Sequence, residues 1–199
     1  IKPERMTKYL LVDAASEKKR SSDYTAMWVI GLNTDGNYYA LDFVRDRLNL
    51  AERGDMVFTL HRKWRPLETR YEKYGMMADI EHLKSRMEIE NYRFDIKEVG
   101  GITAKSDRIK RLLPIFEAGR FYLPKNLYYT DWQREPLDLV RAFVEEEYMA
   151  FPVGLHEDLL DSLSRIAEPE LKLTWPKEAV VEAYIPPRPM NDNRTAWMS

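Results

Sequence analysis

Four carboxylates stand out by type and position: Asp13, Glu72, Asp158 and Asp161. Asp13 closes the apolar run Tyr9-Leu10-Leu11-Val12 and opens onto Ala14-Ala15. Such a run reads as a central strand covered on both faces, and a charge delivered at its end is costly unless something pairs with it. Glu72 ends a second strand-like stretch, residues 66–72. Asp158 and Asp161 are three residues apart, so a helix puts them on one face. Gathered in one place, these acids would repel one another until cations neutralised them. Hard divalent ions such as Mg²⁺ take oxygen ligands, and two such ions about 3.5–4 Å apart clamp the attacking and leaving oxygens of phosphodiester hydrolysis. Cysteine is absent and histidine occurs only 3 times, which disfavours structural zinc. Some of these acids also have a plainer reading. Asp13 would serve as a turn cap, and Glu157 and Asp158 suit a helix N-terminus through its dipole. Asp161, a turn further in between Leu160 and Leu163, is not covered by that explanation.

Positioning these residues requires a sheet. Residues 9–15 form the first strand, residues 24–32 the second and residues 38–47 the third. The turn Asn33-Thr34-Asp35-Gly36-Asn37 joins the last two, with Asp-Gly as its local signal. A helix is expected over residues 50–63, a strand over 66–72, a helix over 76–90 and a fifth strand over 93–99. Residues 105–118 read as one amphipathic helix, with Ile109, Leu112, Leu113 and Phe116 inward. A short strand over 120–124 follows, then helices over 136–148 and 157–167. This order predicts an α/β domain with a mixed central β-sheet flanked by helices. Asp13 and Glu72 would meet if the strands that they end are neighbours in that sheet.

At 199 residues with 44% hydrophobic and 12% aromatic content, the chain can bury a full core, which excludes a disordered protein. No apolar run is long enough to span a bilayer and no signal peptide is visible, so no membrane role is expected. Lys+Arg number 31 against 33 Asp+Glu, a net charge of −2 that gives no global pull toward polyanions. Any nucleic-acid contact must come from segregated charge. The chain starts at Ile1 rather than Met, which suggests an excised domain or processed fragment.

The motifs resemble the RNase H-like superfamily, and within it the C-terminal nuclease domain of terminase large subunits of tailed phages and herpesviruses. The resemblance rests on YLLVDAA at residues 9–15 with SDYT at 22–25, and on TRYEKYG at 69–75. It rests also on KSDRI at 105–109 with PIFEAGRFYLP at 114–124, and on HEDLLDSL at 156–163. It implies an RNase H-like fold over residues 1–168, in which the strands ending at Asp13 and Glu72 lie side by side, with residues 169–199 as a Pro-rich extension or tail. Asp13, Glu72 and Asp158 match the catalytic acids, and Asp161 falls where related resolvases place a further metal ligand. Glu157 stands where Asp is usual. The implied activity is metal-dependent cutting of concatemeric double-stranded DNA during viral genome packaging, with two Mg²⁺ or Mn²⁺ ions bound alongside substrate. The implied partners are double-stranded DNA, the terminase ATPase domain, the small terminase subunit and the portal protein, in the host cell cytoplasm. No G-x-x-x-x-G-K-[ST] phosphate loop occurs, so the ATPase motor is not in these residues.

Two basic groups are candidate phosphate contacts. Lys18, Lys19 and Arg20 follow Asp13, and Lys105, Arg108, Lys110 and Arg111 occupy the polar side of the 105–118 helix. A polar loop and a solvated helix face are their ordinary readings. Two rivals share these features: another RNase H-like nuclease of resolvase or transposase type, and a non-enzymatic assembly module whose acids are only caps. Five of the 11 prolines lie from Pro169 onward, which predicts a semi-extended tail with one strand near residues 179–185.

Overall fold

The computed structural model describes residues 2–15, 24–72, 77–100 and 103–177. Strand β1 (Thr7–Asp13) sits inside a six-stranded mixed sheet whose order is β5-β4-β1-β2-β3-β6. β2 (Thr25–Leu32) pairs antiparallel with β1 and with β3 (Tyr38–Asp46), giving the expected meander. β4 (Glu68–Glu72) adds to the other side of β1 in parallel, and β5 (Ile96–Val99) adds in parallel to β4. β6 (Phe121–Tyr122) completes the far edge beside β3.

Both faces of the sheet are covered, and this explains why β2 is buried at every position. Alternation along the strands splits the core in two. Tyr9, Leu11, Trp28 and Ile30 face one cluster with Leu159, Leu160 and Leu163. Leu10, Val12, Met27 and Val29 face another, packed with Val57, Phe58 and Leu83 from helices α1 (Leu50–Trp64) and α2 (Met77–Ile89). The start of α1 is fixed by a capping box, in which Asn49 accepts the Glu52 backbone N–H and Glu52 reaches back to Asn49. At the β2–β3 turn Gly36 has φ 77°, a conformation that favours glycine, and Asp35 accepts from the Asn37 backbone N–H at 2.9 Å.

Three expected elements differ in detail. The predicted 105–118 helix is two helices, α3 (Lys105–Lys110) and α4 (Leu113–Glu117). Pro114 lies in the first turn of α4, where its missing N–H costs nothing but where a continuous helix would lose a hydrogen bond. The predicted 136–148 helix opens instead as strand β8 (Pro136–Asp138), paired antiparallel with β7 (Tyr128–Thr130). Asp138 then caps α5 (Leu139–Ala142) by accepting the Val140 N–H at 3.1 Å, and a π-helical stretch, Phe143–Tyr148, follows. The last helix, α6 (Asp158–Ser164), tightens to 3₁₀ over Arg165–Ala167. The extension expected from Pro169 begins against the domain: Leu173 and Trp175 pack on the core, and the Thr174 N–H donates to the Tyr9 hydroxyl at 2.7 Å. The strand expected near 179–185 lies outside the described residues. Among the described residues, no helix is long and apolar enough to cross a membrane.

Candidate metal centre

Asp13 is the last residue of β1 and Glu72 the last residue of β4. The two strands run parallel, with Val12 opposite Tyr71, so both carboxylates emerge at the same C-terminal edge of the sheet. Carboxyl ends of parallel strands are where ligands bind in open α/β sheets. Just beyond Asp13, the Ala15 N–H donates to the Thr25 hydroxyl at 3.2 Å and fixes the exit of the chain.

Helix α6 is anchored by three contacts, two to β2 and one to the π-helical stretch. The Trp28 indole N–H donates to the Leu159 carbonyl at 2.9 Å. The Ser162 hydroxyl donates to the Ala26 carbonyl at 3.1 Å. The Leu160 N–H donates to Glu147 Oε2 at 3.0 Å, which ties the start of α6 to the π-helical stretch. Leu159, Leu160 and Leu163 turn into the core, and Asp161 thereby comes to the sheet edge. One carboxylate oxygen from each of Asp13, Glu72 and Asp161 lies within 4.8 Å of the others.

Asp158 is not in that three-residue group. It is buried one turn earlier on α6, with Oδ2 at 3.8 Å from His156 Nδ1. Its charge is felt instead by Glu147, a fully buried carboxyl. Burial pushes the Glu147 pKa up to about 7, against the lowering effect of its hydrogen bond from Leu160 and of Arg45. The helix that resemblance assigned to Asp158 therefore brings Asp161 to the two strand-end acids.

Two guanidinium groups enter the cluster, and neither partnership was legible beforehand. Arg165, fully buried, forms ion pairs with Glu72 at 2.5 Å and Glu168 at 2.7 Å. Arg108 grips Asp161 with both prongs, Nε to Oδ1 at 3.0 Å and Nη2 to Oδ2 at 2.5 Å. Arg70, also buried, donates to the carbonyls of Arg165 and Ile166 at 2.8 and 3.2 Å and so holds the end of α6 against β4. Arg165 stands four residues after Asp161, a spacing that marks a helical neighbour, but its pairing with Glu72 comes from another element.

Titration of the acids reflects this setting. Loss of solvent holds the Asp13 carboxyl well above the usual carboxylate range, reinforced by a hydrogen bond to Glu72 and by the charges of Glu72 and Asp161. For Glu72 burial also favours the neutral form, but the hydrogen bond from Asp13 and the positive charges of Arg165 and Arg108 outweigh it and lower its pKa. The two strand-end acids thus shift in opposite directions, Asp13 up and Glu72 down. The donor set consists of carboxylate oxygens converging from three elements, which fits a hard divalent cation.

The other basic residues are placed differently from one another. Lys105 Nζ lies 4.0 Å from Glu157, and the exposed Lys110 pairs with Asp107 at 3.2 Å. Arg111 pairs with Glu168 at 2.9 Å. Arg108 and Arg111, two of the candidate phosphate contacts, are paired in the fold with Asp161 and Glu168. Lys18, Lys19 and Arg20 lie outside the described residues.

Comparison with known proteins gives consistent similarities. The family model for the terminase RNase H-like domain matches residues 10–167. The structure is similar to the large terminase nuclease of thermophilic phage G20c, at 14% identity over 80% of each chain with a TM-score of 0.51. It is also similar to the human cytomegalovirus terminase nuclease domain, soaked with manganese, at 12% identity over 80% of each chain with a TM-score of 0.55. A search of curated proteins finds no match.

Proposed function

Because the chain belongs to the terminase RNase H-like domain family, we propose that it is a metal-dependent endonuclease that cuts concatemeric double-stranded DNA during viral genome packaging. The observation that carries this reading is the convergence of Asp13, Glu72 and Asp161 within 4.8 Å. Those three acids are the proposed holders of Mg²⁺ or Mn²⁺, and the manganese soak of the cytomegalovirus relative supports that choice of ion. Asp158, one turn earlier on α6, is proposed as a fourth acid of the site. When bound, a pair of divalent ions supplies the clamp on attacking and leaving oxygens that phosphodiester hydrolysis requires.

The chain's own residues prepare the site. Arg165 holds Glu72 in place, while Trp28, Ser162 and Glu147 hold α6 so that Asp161 meets the strand ends. The raised pKa of Asp13 favours its neutral form and a cation needs the carboxylate, so loading is favoured as pH rises. Lys105, Lys110 and the Lys18-Lys19-Arg20 run are proposed to track phosphates, a sequence-independent contact. The unit over residues 1–168 is proposed to act in the host cytoplasm with the ATPase domain, the small subunit and the portal protein. Residues 169–199 would serve as the docking extension.

Incubation of the chain with supercoiled plasmid tests the reading. Nicking and linearisation are expected with Mn²⁺ and not with EDTA. Equal cutting in both tubes, or none in either across pH 7 to pH 9, refutes it.

A further inference from the structure

The acidic centre carries its own cation. Arg108 reaches Asp161 from α3, and its two prongs engage both carboxylate oxygens, at 3.0 and 2.5 Å. Its remaining amino group donates to the Thr103 carbonyl at 2.8 Å. A bidentate guanidinium takes two of a carboxylate's roughly four lone-pair positions and offsets its charge, so it competes with a divalent ion for that carboxylate.

Arg165 does not compete in this way. It is fully buried, its guanidinium is shared between Glu72 and Glu168, and Arg70 braces the backbone behind it. Arg108 differs on each point. Its side chain keeps 12% of its exposure. It also lines a cavity of about 320 Å³ with Thr103, Arg111, Glu168 and Glu170, which offers room to swing aside. Glu168 on that wall is already paired with Arg111 and Arg165, but Glu170 supplies negative charge toward which a released guanidinium can turn.

We propose that Arg108 is a resident counter-ion of Asp161 that a divalent cation must displace, which makes it a positioning residue that sets the threshold for metal loading. This rests on the metal-dependent reading of the site. In the metal-free protein Arg108 neutralises Asp161 and holds α3 against α6. Loading frees the carboxylate for the cation and releases Arg108 into the adjoining cavity. The device keeps the site disarmed at low cation concentration without leaving a buried charge unpaired.

Calorimetric titration with Mn²⁺ alone, without DNA, tests this on the wild-type chain, Arg108→Gln, Arg108→Lys and Asp161→Asn. Arg108→Gln is expected to bind Mn²⁺ about tenfold more tightly than wild type, the scale set by losing charge-assisted hydrogen bonds. Arg108→Lys keeps the charge but loses the fork, so its affinity should fall between the two. Asp161→Asn should bind more weakly than wild type. If Arg108→Gln does not fold by circular dichroism, Arg108→Lys decides: severalfold tighter binding supports the proposal and unchanged binding overturns it. Folded Arg108→Gln that binds Mn²⁺ no more tightly than a binding wild type overturns this inference alone. Absence of Mn²⁺ binding in every protein, wild type included, overturns this inference, while plasmid cutting with Mn²⁺ and with EDTA separately decides the metal-dependent function.

Discussion

Substitution of Asp13 by asparagine separates a catalytic acid from a capping one, because the two roles predict opposite signs for stability. The asparagine side chain has the shape of a protonated Asp13 carboxyl and can donate to Glu72 from its amide. It cannot supply the charge that holds a cation. Two unit charges within 4.8 Å of each other repel by about 3 kcal/mol or more at an effective dielectric of about 20. Ionised Asp13 faces two such neighbours, Glu72 and Asp161, and recovers part of that cost from Arg165. The net relief on neutralising it is about 1–3 kcal/mol. For a domain of this size that corresponds to roughly 3–8 °C in Tm. The sign depends on pH. The pKa of Asp13 is raised in the fold above its ordinary 3.8, so its contribution is fully present below 3.8 and is lost as pH rises through the raised value. The Asp13→Asn side chain stays neutral throughout, so the Tm gap between variant and wild type should open as pH rises and close in acid. Differential scanning fluorimetry of the metal-free protein from pH 4 to pH 9 measures the gap, and plasmid cutting with Mn²⁺ measures activity. Activity should fall by orders of magnitude. An Asp13→Asn protein that melts below wild type at pH 8 while still cutting DNA would show that Asp13 is a cap.

Among the α6 acids, Asp161→Asn should abolish cutting as Asp13→Asn does. Asp158→Asn, outside the three-acid group, should lose only about 10–100-fold in a plasmid time course. Glu147 has a pKa raised from 4.5 to about 7, so its stabilising contribution is complete below 4.5 and is lost as pH passes about 7. That is about 3 kcal/mol, and Glu147→Gln should flatten the fall in Tm between pH 5 and pH 8. A chain ending at Lys177 should melt with the full-length protein, because Leu173 and Trp175 are retained. A chain ending at Glu168 loses both and should be about 2–4 kcal/mol less stable by urea titration.

Local pattern was enough for much of this protein. The apolar run before Asp13, the Asp-Gly turn and the 3.6-residue periodicity of α1 and α2 each depend on near neighbours, so strands, turn and helices were legible along the chain. That Asp13 and Glu72 each end a strand was legible locally. Their side-by-side placement was expected only from the resemblance, and the parallel pairing of the two strands is decided by the folded sheet. Elements whose ends depend on a single residue's competing roles were not legible. Pro114 breaks a helix that its apolar spacing favours, and Asp138 moves a helix start by capping it after a hairpin strand. The choice between Asp158 and Asp161 was likewise beyond the sequence. Both lie on one short helix, and which of them meets the strand ends is set by the rotation of that helix. That rotation is set by Trp28, Ser162 and Glu147, whose hydrogen bonds join residues 131, 136 and 13 apart in the chain. The pairing of Arg108 with Asp161 and of Arg165 with Glu72 has the same origin. Charge pairing acts through space, at distances of a few ångströms, and only the folded chain brings α3, β4 and α6 that close.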